Sequence, residues 1–167
     1  PFAINDKSTY GFVIFLFGLP IIWCSKLLPR VSISAPYSEF MALALCAREI
    51  IWLRQLMLEL GFSVASPTPT YADNTVANAH VHEDFTSSKS KFTFLPYQFV
   101  KQENEKTINV EWVPSKINVA DLFTKSVSKE VIDTLNPALA GTVLTDWTAF
   151  KGRVRPDPID KIPVVAS

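Results

Sequence analysis

The 167-residue sequence lacks a charge excess of either sign and has only two cysteines. Its 16 Lys and Arg balance 16 Asp and Glu, so the basic excess typical of nucleic-acid-binding proteins is missing. Cys24 and Cys46 lie in separate apolar surroundings, which favours buried thiols over a disulfide framework or a zinc site, and favours an intracellular compartment. With 48% apolar residues, the chain has enough core-forming material for one compact domain.

The sequence also lacks a long uninterrupted apolar run. Residues 12–23 are mostly apolar, but Gly18 and Pro20 interrupt them, whereas a membrane-spanning helix needs about 20 apolar residues. We therefore expect no membrane span. The preceding residues show neither the basic leader nor the small-residue cleavage site of a signal peptide. The run instead predicts two strands joined by a turn at Gly18, Leu19 and Pro20.

The remaining pattern predicts an α/β domain with a mixed sheet. The clearest helix begins at a cap on Ser38 and ends before Gly61, and it must be largely buried. Asn118 is a candidate cap for a closing helix that contains Asp121. The apolar residues at helical spacing in the first helix are Met41, Leu45, Trp52, Leu56 and Leu60. We further predict strands over 27–34, 70–72 and 108–112, and helices over 75–80 and 94–103.

Three carboxylates occupy positions that are unusual for solvated charges. Glu39 lies in the first turn of the apolar helix, Asp73 directly follows a short strand, and Asp121 lies among apolar residues. Taken singly, each has a structural explanation, because acids complement a helix dipole and Asp caps helix starts. Taken together, carboxylates at strand ends and helix starts form an oxygen cage suited to Mg²⁺. Two such ions about 4 Å apart catalyse phosphodiester hydrolysis.

Around these carboxylates the sequence resembles a known family. Residues 34–43 (SAPYSEFMAL) resemble the S-S-T-E-A-E-Y-M-A-L segment of the ribonuclease H domain in copia-type retrotransposon Pol polyproteins, and the match continues through 51–56. Further matches lie in the same order within residues 5–135. They are 8–13 with S-T-S-G-Y-V, 20–23 with P-I-S-W, 71–74 with C-D-N, and 112–125 with V-P-T-K through A-D-I-L-T-K.

The resemblance implies a ribonuclease H-like domain over residues 1–135, with a mixed β-sheet flanked by helices, and a C-terminal extension over 136–167. It implies hydrolysis of the RNA strand of an RNA–DNA hybrid by two Mg²⁺ or Mn²⁺ ions. Glu39, Asp73 and Asp121 match three of the family's four metal-binding carboxylates. The implied partners are the hybrid and a reverse transcriptase domain in a parent polyprotein. The implied location is intracellular, in the cytoplasm or nucleus.

The sequence departs from the family at both ends. The family's first strand, which carries the fourth catalytic Asp, would fall before Pro1, and a sheet without its central strand has unpaired backbone groups. We therefore expect the C-terminal extension to complete the sheet, in the same chain or by exchange within a homodimer. Residues 141–149 (GTVLTDWTA) are β-prone and faintly similar to the missing segment, which makes Asp146 the candidate fourth carboxylate. An ordinary surface strand end is the alternative for Asp146.

Three functions are compatible with these residues. The first is an active, metal-dependent ribonuclease H. The second is a catalytically degenerate domain that binds nucleic acid or protein, which the missing Asp, the neutral charge and the added tail favour. The third is a repurposed host protein, for which a secreted mature form stays open. Lysines scattered near Trp112 would suit the hybrid's backbone, although lysines on a neutral protein more commonly serve solubility.

Overall fold

The computed structural model describes residues 8–28, 35–73, 94–140 and 164–166. Within these ranges, the strands are β1 (Thr9–Leu16), β2 (Leu19–Leu27), β3 (Thr68–Ala72), β4 (Ile108–Trp112) and β5 (Val164–Ala166). The helices are α1 (Ala35–Glu59), α2 (Phe94–Glu103) and α3 (Lys129–Leu139), and two short 3₁₀ helices cover Ser115–Ile117 and Val119–Phe123. The expected strand over 27–34 and helix over 75–80 lie almost entirely outside the described residues.

Strands β1 and β2 form an antiparallel hairpin, as the apolar run predicts. The turn is predicted too late and too long, because the chain reverses at Phe17 and Gly18 and not over Gly18, Leu19 and Pro20. Both turn residues have positive φ, 53° and 80°, which matches the right-handed twist of the strands. Pro20 therefore lies inside β2, beside a register shift, and β2 is an edge strand where proline is tolerated.

Helix α1 begins at Ala35, three residues before the predicted cap, and ends before Gly61 as predicted. The prediction that Glu39 lies in the first turn is therefore wrong, because the longer helix places it after that turn. Gly61 has a φ of +86°, and two hydrogen bonds close the helix end in a Schellman motif. Gly61 N–H donates to Leu58 O at 3.0 Å, and Phe62 N–H donates to Met57 O at 2.9 Å.

The predicted apolar face of α1 is wrong. The sheet buries the face that contains Phe40, Leu43, Ala47 and Ile50, whereas Trp52 is 57% exposed. The helix has apolar residues on nearly all sides, so the spacing alone permits several buried faces and packing on the sheet selects one.

The sheet has the strand order β2-β1-β5-β3-β4. Strand β5 is antiparallel to β1 and parallel to β3, so Val165 lies between Val13 and Tyr71. Residues of the C-terminal tail thus form the central strand, the place that the resemblance assigns to the family's first strand, and the architecture is a ribonuclease H-like α/β fold. The residues that form this strand are Val164–Ala166, a short apolar run of the kind that suits a central strand. Residues 141–149 lie outside the described ranges.

Two apolar cores lie on opposite faces of this sheet. Alternate residues of β1 enter each core, with Phe12 and Ile14 on the side of α1 and α2. Val13 and Phe15 enter the core on the other side, where the second 3₁₀ helix and α3 pack. Helix α3 runs continuously across residues 135 and 136, where the sequence places the start of the extension. The expected closing helix is thus divided into a 3₁₀ helix after Asn118 and a separate α3.

Other predictions concern single elements. Helix α2 and strand β4 have the predicted bounds, and both cysteines are free thiols. In the described part of the chain, no helix combines the length and the apolar character needed to cross a bilayer.

Substituting Val165→Pro should destabilise the fold, because a residue in the central strand donates its N–H to a neighbouring strand and proline has none. We expect the free energy of unfolding to fall by about 1–3 kcal/mol, measured by urea denaturation. Val165→Ala keeps the N–H and is the matched control for the loss of side-chain atoms. Equal stability of the Pro and Ala variants would contradict the central position of β5.

Candidate active site

Asp73 directly follows β3, at the end of the sheet where the chain leaves the strand. Two hydrogen bonds, from the last residue of the neighbouring strand β4 and from the residue after it, hold this strand end. Val113 N–H donates to Ala72 O at 2.9 Å, and the indole Nε1–H of Trp112 donates to Asp73 O at 3.2 Å. The backbone that carries the Asp73 carboxylate is therefore tied to the adjacent strand.

Asp121 lies in the second 3₁₀ helix, which Asn118 caps. The buried Asn118 side chain accepts a hydrogen bond from Ala120 N–H at 3.0 Å, and Asp121 N–H donates to Asn118 O at 3.1 Å. The cap predicted at Asn118 is thus confirmed, although it begins a 3₁₀ helix instead of an α-helix. Asp121 is only 6% exposed, so its carboxylate is held in a buried turn.

Gly11 in β1 lets this turn approach the sheet. A Cβ atom at Gly11 would lie 2.8 Å from Thr124 Cγ2 and 2.9 Å from Phe123 Cβ, closer than side chains pack. On the next strand, Ser25 Oγ donates to Phe123 O at 2.6 Å. In the sequence, Gly11 matches the glycine of the S-T-S-G segment. Sequence reasoning did not connect this position to the site.

Lys125 joins the two aspartates. Its Nζ lies 2.8 Å from Asp121 Oδ2 and 3.7 Å from Asp73 Oδ2. Burial acts to lower the pKa of Lys125, but the hydrogen bond and charge of Asp121 and the charge of Asp73 outweigh it and raise the pKa. The Lys125 side chain is half exposed, whereas both carboxylates are largely buried. Sequence reasoning did not single out Lys125, although it ends the A-D-I-L-T-K match.

Glu39 completes an acidic triad, which we define as Glu39, Asp73 and Asp121. Burial and the negative charge of Asp73 raise the pKa of Glu39 from its ordinary 4.5 to about 7, against an opposing effect of Lys125. Its Oε2 atom is buried and accepts no hydrogen bond from the described residues. Helix α1 therefore carries, within reach of the charge of Asp73, a carboxyl group with an unused oxygen.

The structure brings Asp73 and Asp121 together at Lys125, and Glu39 lies near enough to Asp73 and Lys125 for their charges to act on its pKa. Asp146, the fourth candidate, lies outside the described residues. Strand β5 occupies the place of the family's first strand, but its residues are Val164, Val165 and Ala166, and none of them is acidic.

The donor chemistry of the triad suits a hard divalent cation, and the unpartnered Glu39 Oε2 is an open ligand position. Within the described ranges, however, no three acidic, His or Cys side chains are close enough together to hold one metal ion. Lys125 already provides a cation to two of the carboxylates. The triad thus fits the electrostatics of a metal site, while the described residues alone do not complete its coordination.

Similar sequences occur in retrotransposon polyproteins. The chain is 29% identical over 123 residues, 73% of its length, to the retrovirus-related Pol polyprotein from transposon RE2 of Arabidopsis thaliana. It is 28% identical over 123 residues to the polyprotein from transposon RE1 of the same plant. It is 26% identical over 126 residues, 75% of its length, to that from transposon TNT 1-94 of Nicotiana tabacum.

These matches span only 8% of the RE1 and RE2 polyproteins and 9% of the tobacco one. No protein-family model and no solved structure matches the chain. The expected resemblance is therefore confirmed at the level of retrotransposon Pol polyproteins.

Substituting Glu39→Gln should stabilise the protein above neutral pH. Because the folded-state pKa is raised, the native state binds more protons than the unfolded state between about pH 4.5 and 7, and stability falls as the pH rises through this window. The Gln variant lacks this loss and should gain about 1–2 kcal/mol near pH 8 but nothing near pH 4, allowing for partial exposure. Thermal denaturation of the parent chain and the variant across pH measures this gain, with the exposed Glu59→Gln as control. A stability difference between parent and Glu39→Gln that does not change with pH would contradict the raised pKa.

Substituting Lys125→Met should destabilise the metal-free protein, because it leaves Asp73 and Asp121 largely buried without their cation. We expect a loss of about 1–3 kcal/mol in the free energy of unfolding at pH 7, measured in EDTA. Lys116→Met removes an exposed lysine from the first 3₁₀ helix and should change little. Equal stability of the two variants would show that the ion pairs contribute nothing.

Proposed function

We propose that this chain is a ribonuclease H-like domain of retrotransposon origin, which hydrolyses the RNA strand of an RNA–DNA hybrid with two Mg²⁺ or Mn²⁺ ions. The observation that carries the proposal is the acidic triad, since Asp73 and Asp121 share one cation and Glu39 lies within reach of the charge of Asp73. The sheet order and the Pol polyprotein relatives support it.

Within this proposal, Glu39, Asp73 and Asp121 hold the ions. When bound, such ions lower the pKa of a water molecule and stabilise the leaving oxygen. The chain's own contribution is placement: β3 and Trp112 fix Asp73, and the turn capped by Asn118 fixes Asp121. Glu39, whose pKa is about 7, has to release its proton and Lys125 has to release both aspartates before the triad acts as a ligand set.

The alternative is a domain that keeps the fold but binds nucleic acid or protein without cleaving it. Two observations favour it: Lys125 neutralises the aspartates without metal, and the described residues of β5 supply no fourth carboxylate. A fourth ligand from Asp146 remains a proposal.

The remaining partners and the location are proposals as well. A reverse transcriptase domain in a parent polyprotein and an intracellular location are proposed from the family resemblance. Tail exchange in a homodimer is a further proposal. In the structure, β5 pairs with β1 and β3 of its own chain, so the described pairing does not require a second chain.

Incubation with an RNA–DNA hybrid labelled on the RNA strand, in Mg²⁺ or Mn²⁺, tests the activity. We expect cleavage by the parent chain, and a loss of at least about 100-fold in rate for Asp73→Asn and for Asp121→Asn. Each change removes one charged ligand from the site while keeping its shape.

Glu59→Gln, at the exposed end of α1, is the matched control and should cleave like the parent chain. Cleavage that survives both Asn substitutions would indicate a contaminating nuclease. Hybrid binding without cleavage by the parent chain would favour the binding module.

A further inference from the structure

Trp112 presents an aromatic surface beside the acidic triad. It ends strand β4 and is 47% exposed. Its indole N–H donates to the backbone carbonyl of Asp73 at 3.2 Å. The hydrogen bond therefore fixes an exposed ring next to a residue of the triad, where a solvated tryptophan would otherwise change rotamer freely.

Among the described residues, two further exposed tryptophans lie elsewhere on the fold. Trp23 lies on β2, three strands from β3 in the sheet. Trp52 lies thirteen residues after Glu39 on α1, which is about 20 Å along a helix axis. Of these three, Trp112 alone is hydrogen-bonded to a residue of the triad.

The charge around the site makes an uncharged contact important. The whole chain has no net charge, and the ammonium of Lys125 is paired with Asp73 and Asp121. Electrostatic attraction to a nucleic acid is therefore weak here. Stacking of a base on an aromatic ring contributes affinity that does not need a positive surface.

We propose that Trp112 is a stacking platform for an unpaired nucleotide that flanks the hybrid at the acidic triad. A base inside a duplex is already stacked on both faces, so an exposed indole gains most from a single-stranded base. This inference rests on the proposed function and adds a substrate class to it: hybrids with a single-stranded overhang. Trp112 is a binding residue in this scheme and takes no part in the chemical step.

Fluorescence anisotropy in EDTA, where no strand is cleaved, tests the proposal with a blunt RNA–DNA hybrid and with the same hybrid carrying a single-stranded overhang. We expect the parent chain to bind the overhang hybrid about 5- to 100-fold more tightly than the blunt one. Trp112→Ala should remove this preference, and Trp112→Phe should keep most of it because a ring remains. Trp52→Ala is the matched control and should bind like the parent.

Loss of the preference in Trp112→Ala alone, with an unchanged melting temperature, supports the proposal. Equal affinity of the parent chain for the two hybrids overturns it, as does a preference that survives Trp112→Ala. Equal losses in the Ala and Phe variants also overturn it, because they would assign the effect to the hydrogen bond with Asp73. The cleavage assay tests the proposed function separately. If the parent chain shows the Trp112-dependent preference but does not cleave, the stacking inference stands without the ribonuclease activity. If it cleaves but shows no preference, only the ribonuclease activity stands.

Discussion

The pairing of β5 with both of its neighbours is the constraint on which the structure depends. Without β5, the β1–β2 hairpin and the β3–β4 pair would be two separate small sheets with unpaired inner edges. The site spans the same junction. Asp73 follows β3 on one side of β5, whereas the turn that carries Asp121 packs against Gly11 of β1 on the other side. Three C-terminal residues thus hold together the two halves of both the sheet and the acidic triad.

The triad also sets a local electrostatic problem, because three carboxylates in a partly buried region repel one another. The structure reduces the repulsion in two ways. Lys125 places its ammonium between Asp73 and Asp121, and Glu39 retains its proton to a pH near 7. Each device lowers the negative charge of the cluster in the absence of metal. Such compensation is needed because an unpaired buried charge is costly to the fold.

Much of the fold was predictable from local sequence patterns, and the failures have physical reasons. Strand β4 and helix α2 follow from residue alternation and from a proline in the first helical turn. The buried face of α1 was mispredicted because the helix is apolar on nearly all sides. The three carboxylates were selected from the sequence because each is predicted at an unusual position for a solvated charge. Lys125 and Gly11 were missed as site residues, since their roles appear only when distant segments come together.

The place of β5 could not be derived from any local pattern, because three apolar residues near the end of the chain carry no signal of their partners. The unpaired strand edges nevertheless led to the prediction that some segment of the tail completes the sheet. That argument concerned backbone hydrogen bonds and was independent of which residues supplied them. It therefore held for the fold, while the choice of 141–149, which rested on a faint resemblance, concerns residues outside the described ranges.

The two functional proposals differ in which cations neutralise the triad. One proton on Glu39 and one ammonium from Lys125 leave a single negative charge on three carboxylates, so the metal-free cluster is already close to neutral. In the hydrolytic proposal, divalent ions would have to displace both, and a fourth carboxylate would favour the ions by adding negative charge that the proton and the ammonium do not compensate. The Lys125 side chain is half exposed on a flexible stem, which permits it to move into solvent. Which of the two proposals applies therefore depends on whether the chain places a further negative charge beside Glu39, Asp73 and Asp121.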